Sequence, residues 1–145
     1  MGYRHVLFAA DFSDEALMVG ERAKEIAERC GARLSVIHVV ENMNVNLSGG
    51  YELLPVLPEL PDETLLREYR VALGKLAQRL NIGNAELWVV NAPSTKEGIF
   101  GAVKDHMIDL IVVGSHGRHG LALLLGSTAN AVLHGAPCDV LAVRI

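Results

Sequence analysis

The chain has 145 residues, of which 50% are hydrophobic and 21% charged, so it is long enough for one domain with a sizeable core and too short for two ordinary domains. Seventeen acidic and thirteen basic side chains give it a net charge of −4. This excess of negative charge disfavours nonspecific binding to nucleic acid or to anionic membranes, and we expect neither as a partner.

The cysteines and the apolar runs predict the compartment. Cys30 and Cys138 lie far apart, and neither belongs to a pattern of metal-ligating residues. Apolar runs such as Val6 to Ala10 are far shorter than the roughly 20 residues that a membrane-spanning helix needs. We therefore expect a soluble, cytoplasmic protein with reduced thiols.

Five short apolar runs have the composition of strands that are covered on both faces, because they are rich in β-branched residues and nearly continuous in hydrophobicity. In chain order they are Val6–Ala10, Leu34–Val40, Leu87–Val90, Leu110–Val113 and Val140–Val143.

Amphipathic segments separate the first three runs. The segment from Ser13 to Gly31 predicts a helix with Ser13 as its N-cap and Gly31 in the left-handed conformation that often follows a helix. A second helix is predicted after Pro61, with an apolar stripe formed by Leu65, Leu66, Tyr69, Leu73, Leu76 and Leu80.

Two further helices are predicted in the second half of the chain. The third begins at Ser94, whose spacing to Glu97 is that of a capping box, and it ends near Met107. The fourth begins around Ser127 and ends before Pro137, which cannot continue a helix. Its predicted buried residues are Ala129, Val132 and Leu133.

Strands that alternate with helices predict an α/β fold, in which an open parallel sheet carries helices on both faces. We interpret residues 1–145 as a single domain. The stretch 41–61 is rich in Asn, Gly and Pro, and it is predicted to be an irregular insertion loop.

Ligands of open parallel sheets bind at the carboxyl ends of the strands, and the loop after the fourth strand is the glycine-rich one. Gly114 and Gly117 open this loop, which leads to Gly126 at the start of the fourth helix. Glycines let backbone N–H groups approach an anion closely, and a helix start supplies further donors. The loop therefore predicts a phosphate site, although a tight turn followed by a simple helix cap would give the same residues.

Side chains near this loop could add to such a site. Arg118 supplies a positive charge, and Ser127 and Thr128 supply hydroxyl groups that could donate to phosphate oxygens. Asp11 follows the first strand, where its carboxylate could accept from ligand hydroxyls or simply cap the next helix.

Several other functions are disfavoured by the spacing of residues. The glycines match neither the Walker A loop nor the Gly-x-Gly-x-x-Gly pattern of dinucleotide-binding proteins. His116 and His119 lack a third ligand at a diagnostic spacing, so no metal site is predicted. Ser127 has no evident activating base, and no catalytic residues are assigned.

Over essentially its whole length, the chain resembles the universal stress protein family. The resemblance rests on residues 5–13, on 36–40, and above all on 109–117 together with Gly126-Ser127 and 136–143. It implies the strand order 3-2-1-4-5 of the adenine nucleotide alpha hydrolase-like folds. In that order the switch point lies between strands 1 and 4, beside Asp11 and Gly114.

One branch of this family binds ATP through a Gly-x2-Gly-x9-Gly-Ser/Thr loop. The present chain keeps the three glycines and the serine, with eight rather than nine residues between Gly117 and Gly126. The resemblance implies that Asp11 lies near the ribose and that Val39 and Val40 line the adenine. The phosphates would be held by Gly114, Gly117, Gly126, Ser127 and Thr128.

The resemblance leads to two functional hypotheses. The first is a stress-response module that binds ATP or another adenine nucleotide, with or without Mg²⁺, and acts as a conformational or partner-binding switch with slow hydrolysis at most. The second is a nucleotide-free dimeric interaction protein. In both, Val140–Val143 would be an exposed apolar edge strand, and we predict a homodimer through it, as in the family.

Overall fold

The computed structural model describes residues 2–41, 63–115 and 126–144. In these residues five strands alternate with four helices, as the sequence predicts. In chain order the elements are β1 (His5–Ala9), α1 (Ala16–Cys30), β2 (Arg33–Glu41), α2 (Glu63–Leu80), β3 (Glu86–Ala92), α3 (Thr95–His106), β4 (Leu110–Gly114), α4 (Ser127–Gly135) and β5 (Asp139–Val143).

The strands form one parallel sheet in the order β3-β2-β1-β4-β5, which confirms the predicted topology. Leu7 of β1 is level with Ser35 of β2 on one side and with Ile111 of β4 on the other. The chain builds outward from β1 in one direction and from β4 in the other, so a crevice opens between their carboxyl ends.

Alternate residues of each strand face opposite sides of the sheet and build two separate cores. Val6 and Phe8 of β1 pack with α1 and α2, whereas Leu7 packs with α3 and α4. All three side chains are at most 1% exposed. Burial on both faces explains why the strands have continuous apolar sequences.

The predicted start of α1 is wrong, because Ser13 is not the N-cap of the helix. The helix begins at Ala16 with Glu15 as its N-cap, and the carbonyl of Ser13 accepts from the N–H of Ala16 at 3.1 Å. The carboxylate of Asp11 bonds the N–H of Ser13 at 3.0 Å and folds this stretch into a turn instead. The predicted end is confirmed, since Gly31 is left-handed with φ of 64°.

The predicted N-terminal cap of α3 and the predicted C-terminal end of α4 are confirmed. The Ser94 hydroxyl accepts from the N–H of Glu97 at 3.2 Å and donates to its carboxylate at 3.1 Å. α4 ends at Gly135, ahead of Pro137. Its predicted packing is partly wrong, because Leu133 is 44% exposed while Ala129 and Val132 are buried. A helix of nine residues with one side on the sheet leaves its other side in water.

Two sequence predictions concern regions that the structure covers only in part. Glu41 ends β2, and the rest of the predicted loop at 41–61 lies outside the described residues. Over the described ranges, no helix combines the length and the apolar character that crossing a membrane requires.

Candidate functional site

The turn after β1 places Asp11 at the carboxyl edge of the sheet, beside the crevice between β1 and β4. Asp11 is exposed, and one of its carboxylate oxygens holds the N–H of Ser13. Phe12 has φ of 60°, a left-handed conformation that is rare for a side chain of this size. The bend therefore keeps the second oxygen of Asp11 available at the edge where ligands bind in this kind of fold.

The ring of Phe12 in this bend packs against rings from two elements, β2 and α2. The ring of Phe12 lies 4.5 Å from that of His38 in β2 and is nearly parallel to that of Tyr69 in α2, at 6.1 Å. His38 is 8% exposed, and its Nδ1–H donates to the carbonyl of Ala10 at 2.9 Å. His38 is thus a buried histidine with a backbone partner.

Val39 and Val40 end the buried part of β2, with 8% and 9% of their surfaces exposed. Val39 belongs to the core beneath α3, whose buried face includes Ile99 and Ala102. The following residue, Glu41, is exposed. The carboxyl end of β2 is thus built by two largely buried apolar residues followed by an exposed carboxylate.

The N-terminus of α3 is already occupied by groups of the chain itself. Ser94 caps it, and the carboxylate of Glu41 accepts from the N–H and the hydroxyl of Thr95. The start of α1 follows Asp14 and Glu15, whose negative charges oppose an anion. Neither helix start is therefore favourable for a phosphate group.

The N-terminus of α4 differs from these two. Its N-cap is Gly126, which makes no side-chain capping bond, and its first turn contains no acidic residue. Ser127 and Thr128 follow directly, and Ser127 is exposed. Free backbone donors at a helix start carry a partial positive charge that attracts anions.

The backbone ties the end of β4 to the start of α4. The N–H of Ser115 donates to the carbonyl of Val143 at 2.8 Å, and the N–H of Gly126 donates to the carbonyl of Ser115 at 2.7 Å. Gly114, the last residue of β4, is level with Val143 of β5. Gly114, Ser115 and Gly126 therefore meet at one point of the edge.

Ser115 is the residue that the sequence analysis did not assign to the site. It is 9% exposed, and its buried hydroxyl has no hydrogen-bond partner in the described chain. Buried hydroxyl groups are normally bonded, so its place beside the start of α4 makes Ser115 a further candidate residue of the site. A serine after a strand is too common for its sequence to reveal this.

The structure thus brings some predicted site residues together and leaves others undecided. Gly114 lies with Gly126, Ser127 and Thr128 where β4 meets α4. Asp11 follows β1 along the same edge, and Val39 and Val40 precede Glu41, the last residue of β2. Gly117 and Arg118 lie outside the described residues.

The clear pKa shifts belong to groups at the opposite, amino edge of the sheet. Burial lowers the pKa of His5 and raises the pKa of the Cys138 thiol. The hydroxyl of Tyr3 donates to the Asp139 carboxylate at 2.8 Å, and this bond raises the pKa of Tyr3.

Across residues 2–41, 63–115 and 126–144, no three His, Cys, Asp or Glu side chains come together in a way that could hold a metal ion.

Comparison with known proteins gives matches over nearly the whole chain. A model of the universal stress protein family matches residues 2–144. The universal stress protein A homolog 1 of Coxiella burnetii is 41% identical over 152 aligned positions, which cover 99% of this chain and 97% of that relative.

Solved structures show the same fold. Universal stress protein UspA from Lactobacillus plantarum superposes with a TM-score of 0.74 at 26% identity, and the match covers 99% of both chains. The universal stress protein from Archaeoglobus fulgidus in complex with dAMP has a TM-score of 0.64 at 20% identity and covers 98% of both chains. At the latter identity the likeness concerns the fold alone.

Proposed function

The chain belongs to the universal stress protein family, and from this membership we propose that it binds ATP or another adenine nucleotide as a stress-response module. Occupancy of the site shifts the conformation of the protein or its choice of protein partner. The site is the carboxyl edge of the sheet, from the end of β2 to the start of α4.

The observation that carries the proposal is the open start of α4 beside the buried hydroxyl of Ser115. Gly126 has no side chain to block the helix start, and its N–H is bonded to the Ser115 carbonyl. The amides and hydroxyls of Ser127 and Thr128 then face phosphate oxygens as donors. Ser115 adds a hydroxyl that otherwise lacks a partner among the described residues.

The rest of the nucleotide follows the edge towards β2. Asp11 accepts from a ribose hydroxyl through the carboxylate oxygen that Ser13 does not use. The adenine ring lies against the apolar carboxyl end of β2, which Val39 and Val40 form. The dAMP complex of the Archaeoglobus fulgidus protein supports an adenylate as the ligand class.

Equilibrium dialysis against labelled ATP tests this proposal. We expect retention by the unaltered protein and loss of retention in Gly126→Val, because the added side chain fills the helix start. Gly126 has φ of −60°, so valine is not strained there. Gly83→Val is the matched control, since a Cβ at Gly83 meets no atom within 4 Å. Absence of retention by the unaltered protein at millimolar ATP would refute the proposal.

The second part of the proposal is that the protein forms a homodimer. The alternative function, that of a nucleotide-free interaction protein, includes the same homodimer. β5 pairs with β4 on one side, and its other side has no strand partner in the described chain. Val140, Leu141 and Ala142 are half-buried, so the edge is short and apolar. A second copy of β5 would satisfy its free backbone groups.

A further inference from the structure

Gly98, in the first turn of α3, allows this helix to lie unusually close to β2. A Cβ built on Gly98 would be 2.7 Å from both γ carbons of Val39 and 3.3 Å from the Cβ of Ala92. Carbon atoms in favourable contact lie about 3.5–4.0 Å apart, so even alanine at this position would push Val39 or the whole helix away.

The same turn of α3 is fixed to the end of β2 by polar contacts. The carboxylate of Glu41 bonds the N–H and the hydroxyl of Thr95 at 3.2 and 2.7 Å. The carbonyl of Ser94 accepts from the N–H of Gly98 at 3.1 Å. Withdrawal of the helix from β2 would break both hydrogen bonds of Thr95 to Glu41, so the extra methyl group of an alanine would act on Val39 instead.

We infer that Gly98 is a positioning residue for the base subsite, because it sets where the Val39 side chain stands at the edge of the sheet. This inference rests on the proposed function, in which Val39 and Val40 line the adenine. The phosphate subsite is built by β4, β5 and α4, whose linking hydrogen bonds do not involve α3. A change at Gly98 should therefore affect recognition of the base and spare recognition of the phosphates.

The chain provides a matched control in the same helix. A Cβ at Gly101 would meet no heavy atom within 4 Å. Gly98→Ala and Gly101→Ala make the same chemical change and raise helix propensity in the same way. A difference between them therefore reports the contact with Val39.

Titration calorimetry with ATP and with inorganic triphosphate tests the inference, because the two ligands share the phosphates and only ATP carries a base. We expect Gly98→Ala to weaken ATP binding at least about tenfold, which corresponds to about 1.4 kcal/mol, and triphosphate binding less than about twofold. Gly101→Ala should change neither affinity. Equal ATP affinities of the two variants, or equal losses of ATP and triphosphate affinity in Gly98→Ala, would overturn the inference alone. If the unaltered protein binds neither ligand, the proposed function fails and the inference fails with it.

A second pair of variants decides the matter if Gly98→Ala does not fold. Val39→Ala removes both methyl groups that lie 2.7 Å from a Cβ at position 98, so the double variant Val39→Ala/Gly98→Ala keeps only the 3.3 Å contact with the Cβ of Ala92. We expect it to bind ATP as Val39→Ala does, within about twofold. A further loss on adding Gly98→Ala to Val39→Ala would overturn the inference.

Discussion

The carboxylate of Glu41 accepts two hydrogen bonds from Thr95, one from the backbone N–H at 3.2 Å and one from the hydroxyl at 2.7 Å. Glu41 ends β2 and Thr95 begins α3, so the chain places its own negative charge at the positive end of a helix. The start of α3 is thus filled by a group of the chain itself, whereas the described residues place no capping side chain and no acidic residue at the start of α4. The contact thereby supports α4 as the phosphate subsite.

Glu41→Gln should destabilise the protein, because glutamine keeps an oxygen acceptor but removes the charge that interacts with the α3 dipole. We expect the free energy of unfolding in urea to fall by about 0.5–1 kcal/mol at low salt, with a smaller loss at high salt. Glu21→Gln, an exposed change on α1, is the control. Equal losses in the two variants would contradict a specific role for Glu41.

Ser115→Ala should separate ligand binding from stability. The Ser115 hydroxyl has no partner in the described chain, so its removal should leave the free energy of unfolding nearly unchanged. ATP affinity should fall about three- to tenfold, the value of one hydrogen bond.

Ser35→Ala is the matched control for Ser115→Ala. The Ser35 hydroxyl is buried at the amino edge, where it bonds Nε2 of His5 at 2.8 Å. This change should cost about 1 kcal/mol of stability and leave ATP affinity unchanged. The opposite pattern would remove Ser115 from the site.

His5 should make stability depend on pH. His5 is 4% exposed, and its Nδ1–H donates to the carbonyl of His106 at 3.1 Å. Burial is the main cause that lowers its pKa, and the charge of Arg33 acts in the same direction, while the His106 carbonyl and Glu86 oppose them. The unfolded chain, with a histidine pKa near 6.5, therefore binds a proton more readily than the folded protein does.

The stability that His5 contributes is present above pH 6.5, and it should decline as the pH falls below this value towards the folded pKa. Urea unfolding of the unaltered protein and of His5→Gln between pH 5 and 8 measures the contribution. We expect the difference between the two free energies to shrink as the pH falls. A difference that is constant or grows in acid would show that burial of neutral His5 is not its source.

Leu141→Lys should disrupt the proposed homodimer, because pairing of two β5 strands would bring like charges close together. Sedimentation at micromolar concentration should give twice the chain mass of 15.6 kDa for the unaltered protein and the single mass for the variant. Leu87→Lys on β3, the other edge strand, should remain dimeric, since Leu87 is already 38% exposed. A monomeric unaltered protein would refute the dimer.

Much of the fold follows from patterns that are local in the sequence. The β-branched runs predict the strands because burial on both faces demands them, and the spacing from Ser94 to Glu97 predicts the cap of α3 because both partners lie within one turn. The start of α1 was not predictable from its capping residues. Asp11 competes for the N–H of Ser13, and the left-handed Phe12 is held by the rings of His38 and Tyr69, which come from distant parts of the chain.

The same limit applies to the candidate site. The glycines and hydroxyls at Gly114, Gly126 and Ser127 are visible as a motif. The hydrogen bond from Thr95 to Glu41 joins residues 54 positions apart, and the lack of a partner for the Ser115 hydroxyl among the described residues depends on everything that packs around it. Such contacts arise only when the sheet order brings strand ends together.

The hydrogen bond from the N–H of Gly126 to the carbonyl of Ser115 ties the start of α4 to the end of β4, and the N–H of Ser115 ties that strand end to Val143 of β5. Three elements that are separate in the sequence are therefore coupled through one backbone junction. A substitution that displaces the end of the edge strand β5 should accordingly be transmitted to the start of α4.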